Sequence, residues 1–162
     1  MQCQKALIHM MKIKNMTTSE LTKSTQHTKR WMESVTRKPE WKPKLDTIWS
    51  ICDALGINVI SFFEYAEKGS CTPRPQTINP PLEQEHVSRA LKEIRRRNGF
   101  SQHMLAKVTS FQLSAINLRE GSRYRSYPTV TTLSIYCKAC GIPISDFVGL
   151  ICSYSENKDP IV

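Results

Sequence analysis

The chain has 162 residues, 40% of them hydrophobic and 23% charged, the composition of a folded globular protein rather than a disordered one. Its length suits one domain or two of about 60–70 residues, and no apolar run approaches the ~18 residues of a membrane span. Lys12 and Lys14 interrupt the first apolar stretch, so a secretory signal is not expected. The net charge is +9, which favours polyanionic partners, most often nucleic acid. It divides unevenly: +3 over residues 1–67, zero over 68–85 and +6 over 86–162.

The neutral stretch 68–85 holds four of the nine prolines and has no amphipathic period, so it reads as a linker. The segments on either side repeat one another. Pro43 to Phe62 aligns with Pro128 to Phe147 at an offset of 85, with Pro, Thr, Cys, Ala, Gly, Ile and Phe in register. Upstream, an offset of 84 pairs Leu7 with Leu91, Met10 with Ile94, Thr17 with Ser101, Leu21 with Leu105 and Met32 with Ile116. One residue is therefore inserted in the second copy between Ser101 and Pro128.

Each copy predicts five short helices. Val87, Leu91 and Ile94 mark the apolar face of a first helix, stopped by Asn98-Gly99 and, in copy one, by Lys14-Asn15. Thr17 and Ser101 read as N-caps of a second helix, with Glu20 as capping-box partner of Thr17. Thr28 to Arg37 and Gln112 to Glu120 read as third helices. Pro43 and Pro128 are expected to open the fourth, which Gly56 and Gly141 end, and Ser61 and Ser145 lie near the start of a last one. The expected fold class is all-α: two tandem five-helix domains at 1–67 and 86–150, a proline-rich linker at 68–85 and a tail at 151–162.

Catalytic and metal chemistry find little in this pattern. Cys137-Lys-Ala-Cys140 has C-x-x-C spacing, but no second pair completes a zinc set, so buried free thiols in a reducing compartment are expected. His9, His27, His86 and His103 make no metal spacing, and no nucleophile–base set or phosphate loop appears. The expectation is no enzyme, no metal and no cofactor.

A short helix, a tight turn and a second helix followed by supporting helices is the helix-turn-helix plan. Leu91 to Lys107 with its Ser101-Gln-His-Met-Leu-Ala106 string, Ile116 followed by Glu120, and the Pro-to-Gly closing helices resemble the phage-repressor-like (Cro/CI, XRE) family. The resemblance covers roughly residues 5–66 and 87–149. It implies two lambda-repressor-like domains, a cytoplasmic, nucleoid-associated protein of bacterial or phage type, and transcription regulation by sequence-specific binding to double-stranded DNA. It also implies a structural ion pair between Arg95 and Glu120; copy one has Met11 and Thr36 there, both partners absent together. His27 stands where the family has a small apolar residue, which implies a partly buried structural histidine.

In this plan the start of the third helix enters the major groove, while the second helix and nearby loops hold phosphates. The base-reading candidates in copy one are Thr28, Lys29, Arg30, Glu33 and Ser34, with Met32 and Val35 pointing inward. Copy two offers Gln112, Leu113, Ser114 and Asn117; its period puts Leu113 and Leu118 outside and Arg119 at a core place, as an inserted residue or a shifted frame would explain. The phosphate candidates are Thr18, Arg37, Lys38, Lys42, Lys44, Gln102, Arg123, Tyr124 and Arg125. Beyond duplex DNA, the partners to weigh are a second copy of the chain, RNA polymerase or a partner regulator. The alternative function is a protein-interaction adaptor or antitoxin-type autoregulator in which one module alone reads DNA.

Overall fold

The computed structural model describes residues 1–25, 27–71, 74, 78–121 and 126–156. Within them the chain is all-α, and it divides between Asn79 and Pro80 into two compact units. Unit 1 holds α1 (Cys3–Ile13), α2 (Thr18–Ser24), α3 (Lys29–Arg37), α4 (Leu45–Leu55) and α5 (Val59–Lys68). Unit 2 holds α6 (Gln84–Arg97), α7 (Gln102–Thr109), α8 (Leu113–Glu120), α9 (Val130–Ala139) and α10 (Ile144–Glu156). No single helix among the described residues is long and apolar enough to cross a membrane.

Local chemistry sets the helix ends. Thr17 and Glu20 form a reciprocal capping box at α2, and Thr28, Ser101 and Thr129 each accept a backbone N–H in the first turn of α3, α7 and α9. After α1 and α6, Asn15 and Gly99 occupy the left-handed region at φ 49° and 71°, the conformation that Asn tolerates and Gly takes freely. The two positions are 84 apart, so the repeat extends to the turn geometry. Pro43 and Pro128 do not open their helices. α4 starts at Leu45 and α9 at Val130, with Lys44 and Thr129 as extended caps. The Thr129 hydroxyl accepts the Thr132 N–H, which fixes the cap there and leaves each proline one place outside it.

Packing repeats as the sequence does. The principal helix contacts of unit 1 are α1 with α5 and α3, α2 with α3 and α4, and α4 with α5. Unit 2 shows the equivalent five pairs among α6 to α10. Leu7, Leu21, Met32, Ile48 and Phe62 are fully buried in one; Leu91, Leu105, Ile116, Leu133 and Phe147 take the same places in the other. Met32 and Ile116 keep the offset of 84, whereas the helix starts Leu45 and Val130 differ by 85. The inserted residue therefore lies between α8 and α9, and α8 is not shifted in frame.

The expected linker is partly drawn into the units. Lys68 ends α5, and Arg74 Nη2 pairs with Glu64 Oε1 at 2.6 Å. Tyr127 and Ser155 donate hydroxyls to the Leu82 and Pro81 carbonyls, and α6 begins at Gln84. The buried Asn79 is the strongest tie: its Oδ1 accepts the Val59 N–H, and its Nδ2 donates to the Ile57 carbonyl and to Asp53 Oδ1, all at 2.8 Å. It thus satisfies the free backbone groups at the α4–α5 corner. Asn79→Ala should cost about 2–4 kcal/mol, because buried donors and acceptors lose their partners. Hydrogen exchange should show the loss in unit 1 and leave protection in α6 to α10 unchanged; equal loss in both units would refute this role.

Candidate nucleic-acid interface

Unit 1 presents α3 after a short turn from α2. Thr28 caps the helix through its hydroxyl, so Thr28, Lys29 and Arg30 stand together, exposed, at its leading end. Met32 and Val35 are buried beneath, and Glu33 and Ser34 are half-buried. Lys29 Nζ lies 4.0 Å from Glu33 Oε1, an exposed pair of little energetic weight. Arg30 has no ion pair among the described residues. An aromatic stack fixes this end of α3: the His27 ring lies on Trp31 with centroids 3.9 Å apart, and Trp41 meets Trp31 edge-on at 6.1 Å. Trp31 and Trp41 escape a reading by period, because half-buried rings follow neither the core face nor the solvent face. Partial burial lowers the His27 pKa, with Asp46 opposing, so the ring favours its neutral form.

Charge is concentrated on the same side of the sequence. Residues 28–44 carry six cations (Lys29, Arg30, Arg37, Lys38, Lys42, Lys44) against Glu33 and Glu40, a balance of +4. Unit 1 as a whole carries +5, so the remainder of the unit adds a surplus of only +1. Arg37, Lys38, Lys42 and Lys44 are exposed, and Thr18 is half-buried at the first position of α2. A cavity of about 400 Å³ opens in this unit, lined by Ser24, Thr25, His27, Asp46, Thr47 and Ser50.

Unit 2 differs. Gln112, Ser114, Asn117 and Leu118 are exposed on and before α8, and all are uncharged. Leu113 is half-buried rather than fully outside. Arg119 is not in the core, although it holds the position of the buried Val35. Its guanidinium lies 5.1 Å from the centroid of Phe111 and donates weakly to the Ala115 carbonyl, leaving the residue half-buried. A long stem allows the charge to escape where a valine stays inside. Arg123, Tyr124 and Arg125 lie outside the described residues.

Behind α8 sits a buried charged network. Arg95 Nε and Nη2 donate to Glu120 Oε1 and Oε2, each at 2.6 Å, and Arg95 Nη1 donates to the Phe100 carbonyl at 2.7 Å. The Tyr136 hydroxyl donates to Glu120, and Gln102 Nε2 donates to its Oε2 at 2.9 Å. Gln102 was a phosphate candidate; its amide instead points inward, because Glu120 needs a further donor. Burial acts to raise the Glu120 pKa, but hydrogen bonds from Arg95, Tyr136 and Gln102 outweigh it and hold the carboxyl below its usual range. Burial and the bond to Glu120 push the Tyr136 phenol far upward. Unit 1 has Met11, Thr36, Ile51 and Thr18 at these four positions, none of them charged. Tyr136 was legible as a tyrosine opposite an isoleucine in the repeat, and its meaning needed the packing.

Elsewhere, Cys3, Cys52, Cys137, Cys140 and Cys152 are buried cysteines. Among the described residues no group of three or more His, Cys, Asp or Glu side chains is placed to hold a metal ion.

Arg95→Met should destabilise unit 2 by about 3–5 kcal/mol, since Glu120 is left buried and unpaired. The triple change Arg95→Met/Glu120→Thr/Tyr136→Ile, which installs the residues of unit 1, should recover most of that loss in urea denaturation. The pH dependence separates the two proteins. Glu120 has a folded pKa below its unfolded value of about 4.3, so its contribution is complete above that pH and disappears on acidification through the folded value. The triple variant should lack this acid-sensitive component. An identical pH–stability curve for both proteins would remove Glu120 from the account.

Set against family models, curated proteins and solved structures, the chain matches none, so function is argued from the geometry of its own residues.

Proposed function

We propose that the protein is a sequence-specific, double-stranded-DNA-binding transcriptional regulator, not an enzyme, built as two lambda-repressor-like helix-turn-helix modules joined by the proline-rich stretch. One observation carries the proposal: residues 28–44 hold +4 of the +5 net charge of unit 1, around a helix whose exposed leading residues are Thr28, Lys29 and Arg30. A helix fits the major groove, and a guanidinium at its leading end can pair with the O6 and N7 acceptors of guanine. Arg37, Lys38, Lys42 and Lys44 supply phosphate contacts that set register without reading sequence. The His27–Trp31–Trp41 stack positions Arg30 by holding the turn and the basic loop against α3.

Unit 2 reads by other chemistry. Asn117 and Gln112 suit adenine N6 and N7, and Leu118 suits a thymine methyl. The two helices therefore favour different half-sites, and one chain favours an asymmetric operator. The adaptor reading rests on Leu118, which is 52% exposed on α8. It requires α8 to leave base readout unchanged when its polar face is removed.

Selection of duplexes from a random pool would supply the cognate site. On it, Arg30→Ala should cost ~1–3 kcal/mol, with much less lost on random duplex. Equal losses on both would make Arg30 a phosphate contact. Asn117→Ala should relax preference at a different half-site; unaltered discrimination with both Asn117→Ala and Gln112→Ala would move unit 2 to the adaptor role. Lys38→Ala/Lys42→Ala should weaken both duplexes alike and flatten the logarithmic salt slope by about two units, because each lost phosphate contact changes it by ~0.9. An unchanged slope would take the loop off the phosphates.

A further inference from the structure

Unit 2 exposes apolar side chains where unit 1 does not. Met104 and Val108, one turn apart on α7, are 50% and 59% exposed, and Ile135 on α9 is 39% exposed. Their counterparts in unit 1 are Glu20, Ser24 and Ser50. The repeat also shows that these positions neighbour one another: Ser24 and Ser50 line one cavity in unit 1, and α7 packs on α9 as α2 packs on α4. That polar hollow has Thr25 and His27 on its wall; in unit 2 Thr109 and Phe111 stand in their places, with Arg119 over the Phe111 ring. A polar recess in one unit has become an apolar face in the other.

The rim of the face is basic. His103, Lys107 and Lys138 are exposed on α7 and α9, and neither helix contains an Asp or Glu. Clustered exposed apolar side chains with a polar rim mark a docking site rather than ordinary surface. We propose that the Met104–Val108–Ile135 face of unit 2 binds a protein partner through an amphipathic helical segment that combines large apolar residues with Asp and Glu. Charge complementarity selects this occupant: Lys107 and Lys138 are exposed on the same two helices, which hold no acidic residue, and can pair with carboxylates. A second copy meeting the face by two-fold symmetry would set basic rim against basic rim. The proposal stands apart from base reading, since it uses α7 and α9 and not the polar face of α8.

The full chain would be titrated against a labelled synthetic 18-residue helical peptide with Leu on one face and Glu on the other, read by fluorescence anisotropy. A peptide with Lys in place of Glu is the control. Saturable binding of the Glu peptide is expected, at least tenfold tighter than the Lys peptide. Met104→Glu/Val108→Ser/Ile135→Ser, which installs residues the repeat already accommodates in unit 1, should weaken it at least tenfold. Lys107→Glu/Lys138→Glu changes only exposed charges and should weaken it at least fivefold while improving the Lys peptide. Circular dichroism melts should be unchanged in both variants. No saturable binding, equal binding by the apolar triple variant, or indifference to the sign of the peptide would overturn the proposal. So would a concentration-dependent dimer in sedimentation that the triple variant abolishes, which would assign the face to a second copy. Loss of random-duplex binding by the triple variant would assign it to nucleic acid and equally overturn it. A failure of the Arg30 and Asn117 experiments leaves these outcomes unaffected.

Discussion

A helix that presents side chains to a partner must be held from behind, and in unit 2 one buried carboxylate does much of that holding. Glu120, the last residue of α8, accepts from Arg95 on α6, Gln102 on α7 and Tyr136 on α9. Four helices thus meet at two oxygens. An isolated charge in that place would be expensive, so the network holds its geometry only while all its donors are present. Unit 1 reaches the same helix arrangement with Met11, Thr18, Thr36 and Ile51 at the same positions. Directional bonds are therefore one solution to the packing problem and not a requirement of the fold. A second tie is common to both units and lighter: the Gln4 amide donates to the Thr36 carbonyl, and the Ser88 hydroxyl donates to the Gly121 carbonyl.

With the interior register conserved, the surfaces are free to differ. Unit 1 gathers its cations around α3 and keeps a hydroxyl-rich recess between α2 and α4. Unit 2 presents an α8 whose exposed residues are uncharged, with apolar side chains on α7 and α9. Charge–charge attraction is screened over about 8 Å at physiological ionic strength, whereas amide pairing and methyl contact are not. The exposed chemistry of the two units thus differs in range, cationic around α3 and uncharged on α8.

Periodicity made much of the architecture legible. Val87, Leu91, Ile94, Met32 and Val35 were placed inside by spacing, and all are buried, as are Leu7, Leu21, Leu105 and Ile116, which the repeat pairs. Asn15 and Gly99 announced their turns because few other residues accept a positive φ. The outward position of Lys29 and Arg30 follows from the same period. Legibility stopped where a side chain's partner is distant in sequence. Asn79 looked like linker and is a buried cap for the α4–α5 corner; Gln102 looked like a phosphate donor and serves Glu120. Arg119 broke the period of α8 because its guanidinium leaves the core along a stem that spacing does not describe. Pro43 and Pro128 lie just before the N-cap, two positions ahead of the first helical place expected for them, since a preset φ suits the residue before an N-cap as well as the first helical one.

The way the two units differ also constrains how a repeated chain can diverge. Exchanging Met11 for an arginine alone would bury a cation, and exchanging Thr36 for a glutamate alone would bury an anion; each single step costs several kcal/mol of a domain's marginal stability. The pair must therefore change nearly together, or through an intermediate in which the lone charge reaches water. Position 119 supplies an example of that escape: Arg119 occupies the place of Val35 and keeps its charge solvated over Phe111. Exposed positions carry no such coupling. Ser24 and Ser50 can change to the Val108 and Ile135 types one at a time, each at a cost within a few tenths of a kcal/mol, whereas exchanging Glu20 for the methionine type of Met104 also gives up the capping box with Thr17. Surface chemistry in such a repeat is free to move in small steps, whereas its buried network moves as a block. The polar-to-apolar change on α7 and α9 belongs to the first kind: it lies at exposed positions and leaves the buried network around Glu120 untouched.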